Sequence, residues 1–264
     1  MDTKQLHRAN QAAWNQAAIA YEREVAEDVE FLRRGGADIC DSERELLTGI
    51  SGRVIHLQCA GGRDTLSLWN LGAEEVVGVD ISERMLACAE AKARALSAPA
   101  RWVHSDVLET PRELDASADW VYTGRGALNW IMDIDAWACV VARLLKPGGK
   151  LYVFEGHPIT FLFDMKADQL ELDVEQGDYF ASQPATSEGW PATYVGDVVP
   201  RAQQATKYER LWKISDTLGA VRKAGLHLLR FEEHSEAYWN EFPNLPEDVR
   251  RRFPNTFSLL AEKL

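Results

Sequence analysis

The sequence has no long apolar run, no paired cysteines and no signal-type N-terminus. No stretch of about 18 apolar residues occurs, so the sequence predicts no membrane span. The opening residues, MDTKQLHRANQAAWNQ, lack the apolar core and cleavage site of a signal peptide. The four cysteines (Cys40, Cys59, Cys88 and Cys139) form no CxxC pair. Their spacing favours reduced thiols in a cytoplasmic protein over disulfides or a zinc site.

Clustered positive charge and several catalytic motifs are also missing. The formal net charge of the 264 residues is −12, which argues against a nucleic-acid partner because such binding depends on clustered Lys and Arg. Neither G-x-S-x-G nor H-E-x-x-H occurs, so no motif suggests hydrolysis. The G-x-G-x-x-G loop that fits a pyrophosphate and a Tyr-x-x-x-Lys pair are both absent, which disfavours a nicotinamide-dependent oxidoreductase.

What the sequence does contain is an alternation of strand-type and helix-type segments after residue 52. Its apolar fraction of 46% suits a packed globular core. Strands separated by helices predict a parallel sheet with right-handed crossovers. The last segment, NTFSLLAEKL, is predicted to be an antiparallel strand. The preceding predicted strands are RVIHLQC, EEVVGVD, ARWVHSD, ADWVYTG, KLYVFEG and LHLLRFEEHSE.

Two regions lie outside this alternation. Residues 4–48 are predicted to form helices separated at Gly35 and Gly36. Residues 158–210 combine glycines, prolines and aromatic residues, which is typical of an insertion that covers a ligand site. The predicted organisation is an N-terminal helical lid (1–50), a cofactor-binding core (51–157), a substrate-covering insertion (158–210) and a segment that completes the sheet (211–264).

The predicted strand ends carry residues suited to binding a nucleoside. In an open parallel sheet, ligands bind at the carboxyl ends of the strands, where the strand order reverses. The small residues Ala60, Gly61 and Gly62 follow the first strand and allow a ligand close to the backbone. Asp80 ends the second strand, where a carboxylate can accept hydrogen bonds from both ribose hydroxyls. Asp106 ends the third strand and could reach an adenine amino group; for both aspartates, a purely local turn role is the alternative.

The order of these motifs resembles the class I methyltransferases that use S-adenosylmethionine. GVDIS with Ser82 and Met85, then HSD, then LLKPGGKLYVFE, occur in the family's order and spacing. The likeness is closest to the small-molecule branch, of the methyltransferase type 11 or 25 kind. It implies an α/β, Rossmann-like, doubly wound sheet of seven strands, mostly parallel, with an antiparallel C-terminal strand. It also implies a helical N-terminal lid, an insertion after the fifth strand and S-adenosylhomocysteine as the product.

The first loop departs from the family pattern of acidic-x-Gly-x-Gly-x-Gly. Aligned on Gly62, the acidic position holds His56, and Gln58 and Ala60 replace two glycines. Gln58 could bond the amine or carboxylate of the cofactor. The departure keeps open the alternative of a non-catalytic cofactor-binding or partner protein. The cofactor-binding residues that the resemblance implies are Gln58, Ala60, Gly61, Gly62, Asp80, Ile81, Met85, Asp106, Val107, Thr123 and Gly124.

The catalytic and acceptor residues are predicted from their positions at the mouth of the cleft. His157, beside Glu155 at the end of the fifth strand, is a candidate general base, and packing against Pro158 is the alternative. Tyr21 could face the pocket from the lid. The acceptor is expected to be a small molecule methylated on O, N or S, and the sequence predicts neither a metal nor an oligomeric state. The remaining candidate acceptor-binding residues are Arg125, Asn129, Trp130, Trp190 and Tyr194.

Overall fold

The structure is a computed structural model that describes residues 1–175, 177–190 and 199–264, so Tyr194 lies outside the described residues. Within the described ranges, no helix has the length and apolarity needed to cross a membrane. The strands are β1 (Arg53–Leu57), β2 (Glu75–Asp80), β3 (Ala100–His104), β4 (Ala118–Gly124), β5 (Leu145–Gly156), β6 (Ala185–Glu188), β7 (Thr206–Glu209), β8 (Leu226–His234) and β9 (Thr256–Lys263). The helices are α1 (Thr3–Arg33), α2 (Asp41–Leu46), α3 (Arg63–Asn70), α4 (Glu83–Leu96), α5 (Ile134–Leu144), α6 (Ile214–Lys223) and α7 (Glu247–Arg250).

Seven strands form one sheet in the order β3-β2-β1-β4-β5-β9-β8. Strands β1 to β5 pair in parallel, whereas β9 runs antiparallel to both β5 and β8. The predicted fold class, including the antiparallel C-terminal strand, is confirmed. Because the chain moves from the β3 edge back across to β4, the strand order reverses between β1 and β4. The carboxyl ends of these two strands therefore border a ligand crevice.

Both faces of the sheet are covered, which explains why the inner strand β1 is mostly apolar. Val54, Ile55 and Leu57 of β1 are completely buried. One face packs against α5, whose Trp137 is also completely buried, and against α6. The other face packs against α2, α3 and the C-terminal end of α1.

Helix α1 crosses the carboxyl edge of the sheet. Asp2 caps its start by accepting a hydrogen bond from the backbone amide of Gln5 (2.8 Å). The apolar face predicted for this helix is buried at Ala13, Ala17 and Ala18, which are fully inaccessible to solvent. The helix contacts α4 on one side and β7 on the other, so it connects the core to residues 158–210.

The stretch 158–210 contains more regular structure than the sequence suggested. It begins with a short 3₁₀ helix (Pro158–Leu162), and β6 pairs antiparallel with β7 further on. The strands β6 and β7 form a separate two-stranded sheet against α1. Alternating patterns in strands of four residues are too short to be distinguished from loop sequence.

Candidate active site

A cavity of about 740 Å³ lies at the carboxyl ends of β1 to β4. Its floor is formed by the loops after these strands. Helix α1 covers it, and three other segments complete the wall: Phe161, Trp190 with Glu209, and residues 238–241. The predicted site residues that line it are Tyr21, Gln58, Ala60, Gly61, Gly62, Asp80, Ile81, Asp106, Val107, Gly124, Arg125, Asn129, Trp130 and Trp190.

The loop after β1 keeps a left-handed backbone at the positions where the family has glycine. Gln58 has φ 58°, Ala60 has φ 43° and Gly62 has φ 76°. A non-glycine residue in this region is strained by its Cβ. At Gly61 the requirement is steric, since a Cβ there would lie 2.8 Å from the Tyr21 ring. Two of the three family glycines are therefore replaced without loss of the backbone shape.

The side chain of Gln58 presents its carbonyl oxygen toward no donor among the described residues. Its amide nitrogen donates to the backbone oxygen of Ala127 (2.7 Å), which fixes the orientation of the side chain. The Oε1 atom is buried and finds no hydrogen-bond partner in the described part of the chain. A buried acceptor without a donor is costly, so this oxygen is suited to receive a donor from a ligand.

Asp80 connects the β2 end to the β1 loop. Its Oδ2 accepts from the amide of Ala60 (2.9 Å) and its Oδ1 from the amide of Ser82 (2.8 Å). Burial raises the pKa of Asp80 to about 6 and outweighs these amides, which lower it. Each carboxylate oxygen can accept a second hydrogen bond, so Asp80 can still receive a pair of hydroxyl groups.

Asp106 is held by His7, a residue that the sequence analysis did not select. Nδ1 of His7 lies 2.7 Å from Oδ2 of Asp106, and the amide of Met132 donates to Nε2 (3.1 Å). Since Nε2 accepts, the ring proton is on Nδ1 and is donated to Asp106. Burial raises the pKa of Asp106, but the hydrogen bonds from His7 and from the Leu108 amide outweigh it, and the pKa lies below its ordinary value. A polar residue at position 7, seven before Trp14 on the same helix stripe, was the available signal.

The Arg125 guanidinium is paired with carboxylates of the protein and is not a free cation at the cavity. Its guanidinium contacts Glu43 (3.1 Å), Asp38 (3.4 Å) and Asp64 (3.5 Å). Burial lowers the pKa of Arg125, but these carboxylates outweigh it and the pKa lies above its ordinary value. Its charge is therefore neutralised within the protein.

Three tryptophans form one wall of the cavity. Trp14 lies with its ring centroid 5.1 Å from that of Trp130 and 4.9 Å from that of Trp190. The Trp190 indole donates to the backbone oxygen of Ala13 (3.0 Å), which connects the insertion to α1. The ammonium of Lys207 lies 5.0 Å from the Trp190 ring centroid, behind this wall.

Two residues of the predicted cofactor set lie behind the cavity wall. Met85 is completely buried and packs with Ala17 and Ala18. Thr123 is also completely buried, and its hydroxyl points toward the backbone oxygen of Leu57. Thr123 precedes Gly124, which lines the cavity, whereas Met85 packs beneath α1; neither side chain reaches the cavity.

Glu155 holds the loop after β4 instead of facing the cavity. Its carboxylate accepts from the amides of Gly126 (2.7 Å), Ala127 (2.9 Å) and Leu128 (2.9 Å). Burial raises the pKa of Glu155 to about 7, against the lowering effect of these amides. Glu155 is not among the residues that line the cavity, and its carboxylate holds the loop after β4.

His157 is likewise outside the wall, and both of its ring nitrogens are engaged. The Ile159 amide donates to Nδ1 (3.1 Å), which leaves the proton on Nε2, 2.9 Å from Oε1 of Glu233. Burial lowers the pKa of His157, and Glu233 only partly opposes this. His157 is therefore held by Glu233 and the Ile159 amide, and it is not among the residues that line the cavity.

The structure adds a segment of wall that no sequence pattern indicated. Tyr238, Trp239 and Glu241 follow β8 and line the cavity. They lie between Phe242 and Leu245 on one side and the β8 end on the other, and both apolar residues are buried. No group of His, Cys, Asp and Glu within the described residues could hold a metal ion.

The fold is a Rossmann-like α/β sheet with a cavity at the point where the strand order reverses. Residues 54–149 match the family model described as "Methyltransferase domain". The resemblance recognised in the sequence is confirmed. No curated protein sequence matches the chain significantly.

Solved structures support the same fold. An S-adenosylmethionine-dependent methyltransferase from Mesorhizobium loti is 23% identical, with a TM-score of 0.57, covering 86% of this chain and 99% of that one. One from Clostridium acetobutylicum is 16% identical, with a TM-score of 0.56 and coverage of 84% and 88%. Geranyl diphosphate C-methyltransferase from Streptomyces coelicolor, solved with S-adenosylhomocysteine, is 15% identical, with a TM-score of 0.56 and coverage of 84% and 78%.

Proposed function

We propose that this protein is an S-adenosylmethionine-dependent methyltransferase acting on a small-molecule acceptor. The observation that carries the proposal is the Asp80 carboxylate, buried at the β2 end and bonded to the amide of Ala60 in the left-handed loop. This pairing sits at the switch point of the sheet, within the stretch that matches the methyltransferase family. Two similar structures are of S-adenosylmethionine-dependent methyltransferases, and a third contains S-adenosylhomocysteine.

The residues present fit this cofactor at both of its ends. Asp80 would receive the ribose hydroxyls with its remaining acceptor sites. Ile81, Asp106 and Val107 line the adjacent part of the cavity, where the adenine would lie. At the other end, Oε1 of Gln58 would accept a hydrogen bond from the ammonium of the methionine part, which would satisfy its buried oxygen.

When bound, the cofactor supplies a methyl group on a positively charged sulfur, ready for displacement by a nucleophile. The protein residues therefore act mainly by positioning the acceptor and excluding water. Glu155 fixes the backbone of Gly126, Ala127 and Leu128, and the first two of these line the cavity where cofactor and acceptor would meet. Helix α1 and the three tryptophans close the cavity from above, and the first 50 residues are proposed as its lid.

The enclosure of the cavity favours a small acceptor. Residues 158–210 contribute Phe161, Trp190 and Glu209 to the wall, so this insertion is proposed to cover the substrate. Aromatic walls of this kind suit a compact organic molecule better than a polymer chain.

Isothermal titration calorimetry with S-adenosylmethionine, S-adenosylhomocysteine and NADH tests the proposal. Saturable binding of both adenosyl compounds, with no binding of NADH, is the expected result. NADH binding without adenosyl binding would overturn it. Binding of the adenosyl compounds without turnover of any acceptor would favour a non-catalytic cofactor-binding protein.

A further inference from the structure

The acceptor end of the cavity can be located from the order of the strands. Asp80 ends β2, and Gly156 ends β5, with β1 and β4 between them. Neighbouring strands lie about 4.8 Å apart, so these two strand ends are separated by about 14 Å. With the ribose at Asp80, the acceptor belongs near Gly126 and Gly156, at the opposite end.

Glu241 lies at that opposite end. A Cβ on Gly156 would lie 3.0 Å from the Tyr238 hydroxyl and 3.8 Å from Oε1 of Glu241, so both side chains crowd this strand end. Oε2 of Glu241 is buried and has no hydrogen-bond partner among the described residues. Burial raises the pKa of Glu241 to about 7, and a hydrogen bond to Thr160 offsets this only in part. The carboxyl group therefore changes its protonation near neutral pH and has an oxygen in need of a donor.

The cations of the cavity wall are already neutralised by protein carboxylates. Arg63 pairs with Asp28 (2.8 Å) and with Asp38 (2.9 Å). The Arg125 guanidinium is surrounded by three carboxylates, as described above. An acceptor carrying a phosphate or carboxylate would meet Glu241 without a compensating cation from the described wall, and this repulsion would weaken its binding.

The same end of the cavity is rich in aromatic surface. Phe161, Tyr238 and Trp239 line it together with Glu241. Aromatic faces attract cations, and the attraction is strongest where water is displaced. A carboxylate and aromatic rings together therefore favour a ligand that is positively charged at one atom and organic elsewhere.

We propose that the methyl acceptor is an amine, which Glu241 binds as an ammonium ion and from which it removes the proton. In this step the N–H bond of the ammonium breaks and an O–H bond forms on Glu241. The electron pair of the N–H bond stays on nitrogen as the nucleophilic lone pair. The inference rests on the proposed function and adds to it the class of acceptor and a catalytic residue.

Three ligands that share a phenyl ring and differ in their charged group test the charge preference. Benzylamine, benzoate and benzyl phosphate are titrated by NMR into the protein saturated with S-adenosylhomocysteine. Benzylamine is expected to bind, with the two anions at least 10-fold weaker. Glu241→Gln is expected to weaken benzylamine at least 10-fold while the affinity for S-adenosylhomocysteine stays within twofold. Glu247→Gln, an exposed change on α7, is the matched control and should leave all titrations unchanged.

Turnover of an amine panel provides the catalytic readout. Glu241→Gln is expected to lower kcat/KM at least 100-fold, as for loss of a general base, and to remove the acid limb of the pH profile near 7. Preferred binding of either anion, no binding of benzylamine, or an unaffected Glu241→Gln variant would overturn the inference. If S-adenosylhomocysteine does not bind, the proposed function fails instead, and the same three ligands titrated into the protein alone still decide the charge preference.

Discussion

At the scale of single residues, the proposed function makes Asp80 the residue on which cofactor binding should depend most. Replacing it with alanine would remove the acceptor sites proposed for the ribose, and it removes the partner of the Ala60 amide. We expect Asp80→Ala to weaken S-adenosylhomocysteine at least 100-fold, which corresponds to about 3 kcal/mol or more. Asp119 lies at the amino end of β4, away from the cavity, and pairs with Lys146. Asp119→Ala is therefore the control for loss of a carboxylate and should leave the affinity for S-adenosylhomocysteine unchanged. An affinity for S-adenosylhomocysteine that survives in Asp80→Ala would contradict the ribose assignment.

Ala60 shows how one residue stores strain in the binding loop. Its φ of 43° is unfavourable for alanine, and glycine would relieve the strain at some cost in unfolded-state entropy. We expect Ala60→Gly to raise the free energy of unfolding by about 0.5 kcal/mol. Ala91→Gly, at an exposed position in the middle of α4, should lower it by about 1 kcal/mol. Urea titration of both variants measures the contrast; equal losses would show that the loop is unstrained.

Among the elements, helix α1 is docked onto the core by polar contacts in its N-terminal half. His7 joins it to both Asp106 and the amide of Met132. We expect His7→Ala to cost about 1.5–3 kcal/mol of helix docking, because it leaves buried partners without hydrogen bonds. Hydrogen exchange of residues 3–20 should rise, and S-adenosylhomocysteine should dissociate faster. Arg8→Ala, on the exposed side of the same helix, should change neither rate.

The elements of the sheet could be predicted because segments rich in β-branched and aromatic residues alternate with helix-type segments, with clear boundaries between them. Strand β1 is fully buried on both faces, and Ser82 caps α4 as its position suggested (Met85 amide to Ser82 hydroxyl, 3.1 Å). The wall residues Tyr238 and Glu241 could not be predicted, because they lie in an irregular segment whose position depends on tertiary packing. The role of His157 was also beyond the sequence, since its ring is occupied by Glu233, 76 residues away.

For the molecule as a whole, His56 is expected to make the free energy of unfolding fall as the pH is lowered. Burial first, and the charge of Arg125 second, lower its pKa from 6.5 to about 3. Below pH 6.5 the unfolded chain binds a proton on His56 that the folded protein does not bind. The free energy of unfolding therefore decreases as the pH is lowered from about 6.5 to 3. This group should cost about 2 kcal/mol between pH 6.5 and pH 5.

Comparison with His56→Asn isolates this contribution, because Asn retains a polar atom near the Thr65 hydroxyl. The free energy of unfolding of the variant should fall less than that of the natural protein over the same pH range. The exposed His227→Asn should follow the natural protein. Parallel pH curves for the natural protein and His56→Asn would rule out His56 as the cause.

The position of α1 also has a consequence for the order of events during synthesis. Asn10 exchanges two hydrogen bonds with the backbone of Tyr208, which lies 198 residues further along the chain. At about 5–20 residues per second, the ribosome needs roughly 10–40 s to supply that partner. During this interval the helix has neither Tyr208 nor the tryptophan of the insertion to pack against. Helix α1 is therefore synthesised first among these partners but can dock fully only after Tyr208 has been made.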